Sequence, residues 1–422
     1  MLSNTVMNIC RPLYSGLSNL GGKDSSFLYW ITFGHIVMHW YQNLFPLILP
    51  YFKSEFGLSA VQLGSLNTIQ MGIASGLMVV VAYFADTRRH LQKIILISAI
   101  LILGICYFGI SLLPTYAWTL IWSGLIGLSV ALWHPTAMGG LSLKFPKKRG
   151  MALGVHGVGA SIGDSLSPII VGAFIMTFAW RTVLQFHLIP IAIISIIMWR
   201  VLSKNEVDGQ NTKKNSDKNK VDFYTYWTDL KTLIKSPQAL SVTISNALIS
   251  GARVAVLTFL PIYLFDTLGF SSLKMGVYLA LLFAMGAISQ PIMGILSDRV
   301  GRKVILVPSF LILGVLYLLI VSTQNDILLG IIIGILGAFF YPILNIAQAA
   351  IMDVGSKDIQ STTMGVSGLV GWPAILVSPI IAGLLVDKFN IEMAFIFAGV
   401  ISLVSTLILV PIKFTPPADF KD

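Results

Sequence analysis

Gly294-Ile295-Leu296-Ser297-Asp298-Arg299-Val300-Gly301-Arg302-Lys303 joins two long apolar runs, and its reading decides the fold. Glycines permit close helix approach and a tight turn. Arg and Lys hold such a loop on the cytoplasmic side of a membrane. Asp298 can cap a helix N-terminus or pair with an arginine, forming a latch that can break and re-form. Gly294, Asp298, Arg299 and Arg302 are therefore expected to gate, together with Asp86, the matching acid of the first half of the chain.

Composition agrees. The 422 residues are 55% hydrophobic and 11% charged, with a mean hydropathy of +0.83. Soluble domains carry about 25% charged residues. Twelve apolar segments run at about 27–50, 60–84, 93–113, 116–140, 150–177, 181–202, 238–265, 273–296, 303–322, 327–352, 360–386 and 392–413. Each is long enough to cross a bilayer. The net charge of +10 does not indicate nucleic acid, because the basic residues lie between apolar runs and form no folded basic face. With the N-terminus inside, 23 of the 28 Lys and Arg fall in inner segments. The outer loops keep Lys53, Arg181, Lys274 and Lys388, and Arg253 lies within a span. Both termini are thus expected in the cytoplasm. Cys10 and Cys106 form no disulfide framework, and Cys106 reads as a buried structural thiol.

The domain reading is a tail over 1–26 that is not cleaved, a six-helix bundle over 27–202, a linker over 203–237, a second bundle over 238–413 and a tail over 414–422. The first part of the linker is rich in Lys, Asn and Asp. Its second part, from Phe223 to Lys235, is either a short helix at the inner membrane interface or a plain polar connection. The halves repeat each other. Pro50, Gly57, Ser59, Gly64 and Asp86 recur as Pro261, Gly269, Ser271, Gly276 and Asp298. Gly154, Gly157, Ser167-Pro168-Ile169-Ile170 and Gly172 recur as Gly365, Gly368, Ser378-Pro379-Ile380-Ile381 and Gly383. A steady offset of 211 or 212 residues is the mark of a duplicated unit. The fold expected is an all-α integral membrane protein, with two pseudo-symmetric six-helix bundles rocking about a central cavity lined by spans 1, 4, 7 and 10.

The 294–303 loop matches G-x-L-x-D-R-x-G-R-K, and by it the chain resembles the major facilitator superfamily of transporters. The first-half copy, Ala82 to His90, keeps Asp86 but places Thr87 where the Arg is expected. Gly154-x8-Gly163-x3-Ser167-Pro168-x2-Val171-Gly172 resembles the span 5 motif of the drug:proton antiporters. Gly154, Gly163, Pro168 and Gly172, with Pro379 and Gly383 in span 11, are the expected helix-packing residues. Gly34-His35-Ile36-Val37-Met38-His39-Trp40-Tyr41 and Trp133-His134-Pro135 resemble the fosmidomycin-resistance-like branch. The chain departs from that branch at His39, where an acid is common, and at Asp164, where a small residue is common.

Ionisable groups inside spans are costly and mark function. Asp164, near the middle of span 5, is the expected proton carrier, with His39 as runner-up. Arg253 stays charged and needs an anion: Asp164, the substrate or cavity water. His35 and His39 share one face of span 1. Their spacing can hold a metal, but the sequence shows no third ligand, so no metal site is expected. His134 and His156 are expected to pair near the cytoplasmic mouth, or to be structural. His35, His39, Tyr41, Asn43, Gln70, Arg253, Tyr341, Asn345 and Trp372 are the candidate substrate contacts.

No Gly-x4-Gly-Lys-Ser/Thr loop and no catalytic constellation is present, so neither an ATPase nor an enzyme is expected, and no cofactor. The reading is a monomeric secondary transporter of the inner membrane that moves a small organic molecule, with protons as the coupling ion and efflux as the direction. Proton-driven uptake of an anionic metabolite clamped by Arg253 is the alternative within transport. A non-transporting sensor or assembly factor is the alternative outside it.

Overall fold

The computed structural model describes residues 23–113, 115–204, 231, 235–353 and 360–414. Among these it contains helices and no strand. The expectations for the N-terminal tail, most of the linker, Cys10 and the end of the C-terminal tail fall outside the described residues.

The first span comprises α1 (Lys23–Gln42) and α2 (Leu44–Phe56). Proline lacks an N–H and its ring crowds the carbonyl four residues back, which for Pro46 is that of Gln42. The helix accordingly breaks at Asn43. Spans 2 to 5 are single helices: α3 (Ala60–Thr87), α4 (Gln92–Leu112), α5 (Tyr116–Lys144) and α6 (Arg149–Thr177). Span 6 is α7 (Trp180–Phe186) with α8 (Leu188–Lys204). In the second half, α9 (Pro237–Ile262) runs into a π-helical turn at Tyr263–Thr267, just after Pro261. Next come α10 (Ser272–Val300), α11 (Arg302–Ile320), α12 (Asp326–Phe340), α13 (Pro342–Met352), α14 (Gln360–Lys388) and α15 (Glu392–Leu409). Span 10 breaks at Tyr341 because Pro342 has no N–H to continue the helical hydrogen bonds. Eleven helices among the described residues are long and apolar enough to cross a membrane, and the broken first span makes the twelfth.

The repeat is visible in local geometry. Gly57 and Gly269 both adopt positive φ, 60° and 66°, a turn that side chains disfavour. Two residues later, Ser59 and Ser271 each cap the next helix, accepting from the backbone N–H of Gln62 and Lys274. A Cβ on Gly127 would collide with the backbone of Gln70, and one on Gly337 with that of Leu282. Small residues thus let α5 lie against α3, and α12 against α10, in matching ways.

The two bundles meet on the face that carries Gly57 and Gly269. A Cβ on Gly276 would strike the carbonyl of Pro168, and one on Gly64 that of Pro379. Gly172 fits against the backbone of Ser272, and Gly383 against that of Ala60. Pro168, Gly172, Pro379 and Gly383 therefore sit at inter-bundle crossings. Gly163 packs against α1 of its own bundle, and Gly154 has open space beside it. Polar contacts reinforce this face. Lys53 pairs with Asp266 at 2.6 Å. Asp387 accepts from the N–H groups of Ala60 and Val61 at 2.7 and 3.0 Å, where the positive end of α3 suits a carboxylate. Tyr51 hydrogen-bonds Ser272. On the signature-loop face nothing among the described residues lies against Gly157 or Gly294, and the described parts of the bundles separate there.

Because the crossings are backbone against glycine, one methyl group must wedge them. We expect Gly276→Ala or Gly64→Ala to open the Gly57 face. The readout is disulfide cross-linking of a Lys53→Cys/Asp266→Cys pair, which should fall severalfold with either change. Undiminished cross-linking contradicts the packing.

Candidate substrate and coupling site

Two glycines create the site. A Cβ on Gly159 would meet the carbonyl of Thr32, and one on Gly163 the carbonyl of Ile36. α6 therefore lies directly on α1, and Asp164 arrives beside the helix break at Asn43. The Asp164 Oδ1 accepts from His39 Nδ1 at 2.9 Å and from Asn43 Nδ2 at 2.6 Å. Asn43 Nδ2 also donates to the His39 carbonyl at 3.0 Å, which accepts the Asn43 backbone N–H at 3.1 Å as well. A mid-membrane carboxylate costs about 3 kcal/mol on insertion scales, and these donors offset that cost. The Asp164 and His39 side chains each keep 18% exposure, so the pair is held yet still reachable.

That exposure opens into a cavity of about 550 Å³ between the bundles. Its walls are the Gly154–Asp164 stretch of α6, the Phe283–Pro291 stretch of α10, and His39, Tyr341 and Asn345. The volume lies in the range of small-molecule sites. The walls differ from the expectation of spans 1, 4, 7 and 10: spans 5 and 8 supply most of them. The physical reason is that the bundles part along α6 and α10, while α9 stays covered by span 10.

Arg253 shows that cover. It is buried, and its guanidinium stacks over Phe340 at 4.3 Å and Tyr341 at 4.7 Å from the ring centroids. Among the described residues its Nε has no hydrogen-bond partner. Among the described residues it makes no ion pair with Asp164 or any other carboxylate. Cation–π attraction, strong in a desolvated setting, takes the place of the expected anion. Tyr341 thus faces the cavity on one side and Arg253 on the other.

Other candidates lie elsewhere. Tyr41 is buried and donates to the His187 carbonyl, away from the cavity. Trp40 Nε1 donates to His187 Nε2 at 3.2 Å beside it. Gln70 lies against α5, its Oε1 buried without a partner among the described residues. Trp372 is half-buried on α14 and outside the cavity lining. His35 is buried, with its ring stacked on that of His156 at 3.8 Å, and His134 lies 5.4 Å from it. His134 and His156 therefore gather around His35 rather than pairing alone at a mouth.

At the signature loop, Arg302 pairs with Asp298 and also with Asp353, Nε to Oδ2 at 3.1 Å. Its Nη1 donates to Ser297 Oγ at 2.8 Å. Gly301, at φ 96°, makes the turn. Arg299 is exposed, and the Asp86 side chain lies outside the described residues. Asp353, Asp387 and the Lys53–Asp266 pair escaped the sequence reading. They end spans as ordinary polar residues and share no motif with their partners.

The sequence model of the Major Facilitator Superfamily matches residues 31–345 and 242–422, and the chain belongs to this family of membrane transporters. The fosmidomycin resistance protein of Escherichia coli is 26% identical over 410 residues, 93% of each chain. Multidrug resistance protein MdtG of Serratia proteamaculans is 32% identical over 196 residues, 44% of this chain and 46% of the relative. An uncharacterized MFS-type transporter of Bacillus subtilis, YhcA, is 25% identical over 307 residues, and the match spans 57% of that relative. Among solved structures, an inward-facing bacterial homolog of the human lysosomal transporter Spinster superposes with a TM-score of 0.72 at 16% identity. It covers 93% of this chain and 96% of its own, which establishes the shared twelve-helix fold.

Asp298→Asn removes one of the two carboxylates that hold Arg302 while leaving the helices intact. We expect transport to slow several-fold with normal yield of folded protein, and Asp298→Asn/Asp353→Asn to slow it further. Wild-type rates in the double variant contradict a latch at this loop.

Proposed function

We propose that this chain exports a small organic molecule in exchange for protons, by alternating access of the cavity between its bundles. The observation that carries the reading is Asp164: a carboxylate held by His39 and Asn43 at the wall of a cavity that is closed on one face only. Such a carboxylic acid binds and releases a proton as its surroundings alternate between dry and wet. A proton on Asp164 weakens its hold on His39 and Asn43, and so loosens the contact of α6 with α1. The basic inner loops support a reading with both termini in the cytoplasm and the closed Gly57 face outside. In this proposal the protein is an inner-membrane monomer in its inward-open conformation. The names of its relatives support a drug-like substrate.

Uptake of an anionic metabolite is the second reading, favoured by Arg253, which pairs with no carboxylate among the described residues. The aromatic cover of Phe340 and Tyr341 stands against direct contact.

Asp164→Asn mimics the protonated form at nearly constant volume. In proteoliposomes it should abolish extrusion driven by a pH gradient while passive exchange survives. His39→Gln should shift the pH dependence and keep coupling. Unchanged gradient-driven flux in Asp164→Asn moves the proton site elsewhere. Loss of all binding makes Asp164 a substrate ligand. Accumulation of anions along an inward proton gradient supports uptake, and absence of flux for every compound supports a sensor.

A further inference from the structure

Four histidines from three helices meet behind Asp164, and proton exchange at Asp164 uses only one of them. Gly34 lets α1 settle on Trp133, since a Cβ there would collide with the indole ring. That contact sets His35 beside His134. His39, one turn further along α1, joins them, with its ring 4.6 Å from that of His35 and 5.9 Å from that of His134. One ring nitrogen from each of His35, His39 and His134 lies within 4.8 Å of the other two.

The hydrogen bonds assign the tautomers. His35 Nδ1 contacts the His156 carbonyl at 2.8 Å, and His134 Nδ1 contacts the Val130 carbonyl at 3.1 Å. A carbonyl only accepts, so both Nδ1 atoms carry the proton and both Nε2 atoms carry the lone pair. His39 Nδ1 faces the Asp164 carboxylate at 2.9 Å, with the same consequence. His35 is 6% exposed, and its Nε2 is buried with no hydrogen-bond partner among the described residues. Three clustered imidazoles, each backed by an Nδ1–H on a carbonyl or carboxylate, is the arrangement of metal-ligating histidines with their outer shell.

We propose that His35, His39 and His134 form a binding site for a divalent transition-metal cation of the zinc class, with Asp164 orienting His39 from behind. Imidazole nitrogens suit zinc, cobalt, nickel and copper, and disfavour magnesium and calcium, which take oxygen. Zinc–nitrogen bonds of about 2.0–2.1 Å place tetrahedral ligands about 3.4 Å apart, so the rings must close by a little over 1 Å. His39 opens to the cavity, which supplies an entry path and a fourth position for water. Stacking on His156, with the ring planes 4° apart, keeps His35 from turning away. Asp164 supplies the negative charge that a dication needs in this setting. The site stands independently of proton coupling. Where coupling through Asp164 also holds, a bound dication keeps that carboxylate ionised and arrests the cycle.

The test is Co²⁺ titration of tag-free, chelator-stripped full-length protein. We expect one saturable Co²⁺ per chain with the visible bands of a tetrahedral site, displaced by Zn²⁺. His134→Gln should weaken binding about tenfold or more. His90→Gln, on an exposed loop, should leave it unchanged. X-ray absorption of the Zn²⁺-loaded wild type should show three imidazole ligands at about 2.0 Å. No saturable binding, unchanged affinity in His134→Gln, or fewer than three imidazoles in the wild type overturns the site. The absorption measurement decides if His134→Gln does not fold. Because every readout is binding, failure here leaves the flux result for Asp164→Asn intact, and the converse holds too.

Discussion

A carboxylate in the middle of a bilayer must find its partners within the protein, and this constraint organises the first bundle. Asp164 has His39 and Asn43 as donors only because α6 lies directly on α1. That closeness needs Gly159 and Gly163 on one helix and the break at Asn43 on the other. Pro46 makes the break, Asn43 sits at the break, and Asn43 holds the acid. A substitution at any of these positions alters the same electrostatic balance. Fold and chemistry are here one set of contacts rather than a scaffold with a site added.

The second constraint is how the bundles touch. At the Gly57 face they meet through backbone carbonyls set against glycine, at Pro168 with Gly276 and at Pro379 with Gly64. Such contacts have little side chain to repack and suit a rocking motion. The ionic and capping contacts around them, Lys53–Asp266 and Asp387 on α3, are polar and reversible. Opposite them, the Asp298–Arg302–Asp353 cluster lies within the second bundle, while Gly154 and Gly294 face open space. The molecule is thus held at one face and free at the other.

Much of the fold was legible in the sequence, because it is written in local and periodic signals. The signature loop, the apolar segments and the near-constant repeat offset are such signals, and the paired positive-φ glycines and serine caps reproduce the repeat in geometry. The site was legible as residues and less so as contacts. Asp164 and His39 stood out as ionisable groups inside spans, yet 125 residues separate them, and no local rule pairs them. His134 likewise reaches His35 only through the packing of Gly34 on Trp133. Arg253 was read as needing an anion because its charge is visible in sequence, whereas the two aromatic faces that shield it belong to another span. Tyr41 and Trp372 were read as cavity residues from polarity and depth, but the direction of a side chain on a helix depends on which neighbours surround it.

The central claim is that Asp164 changes protonation while the cavity alternates. Infrared difference spectroscopy of the protein in lipid, between acid and alkaline buffer, tests it most directly. The account predicts a carboxylic C=O band that appears on acidification in the wild type and is missing in Asp164→Asn, with its midpoint moved in His39→Gln. The same band retained in Asp164→Asn, or a midpoint indifferent to His39, would contradict it.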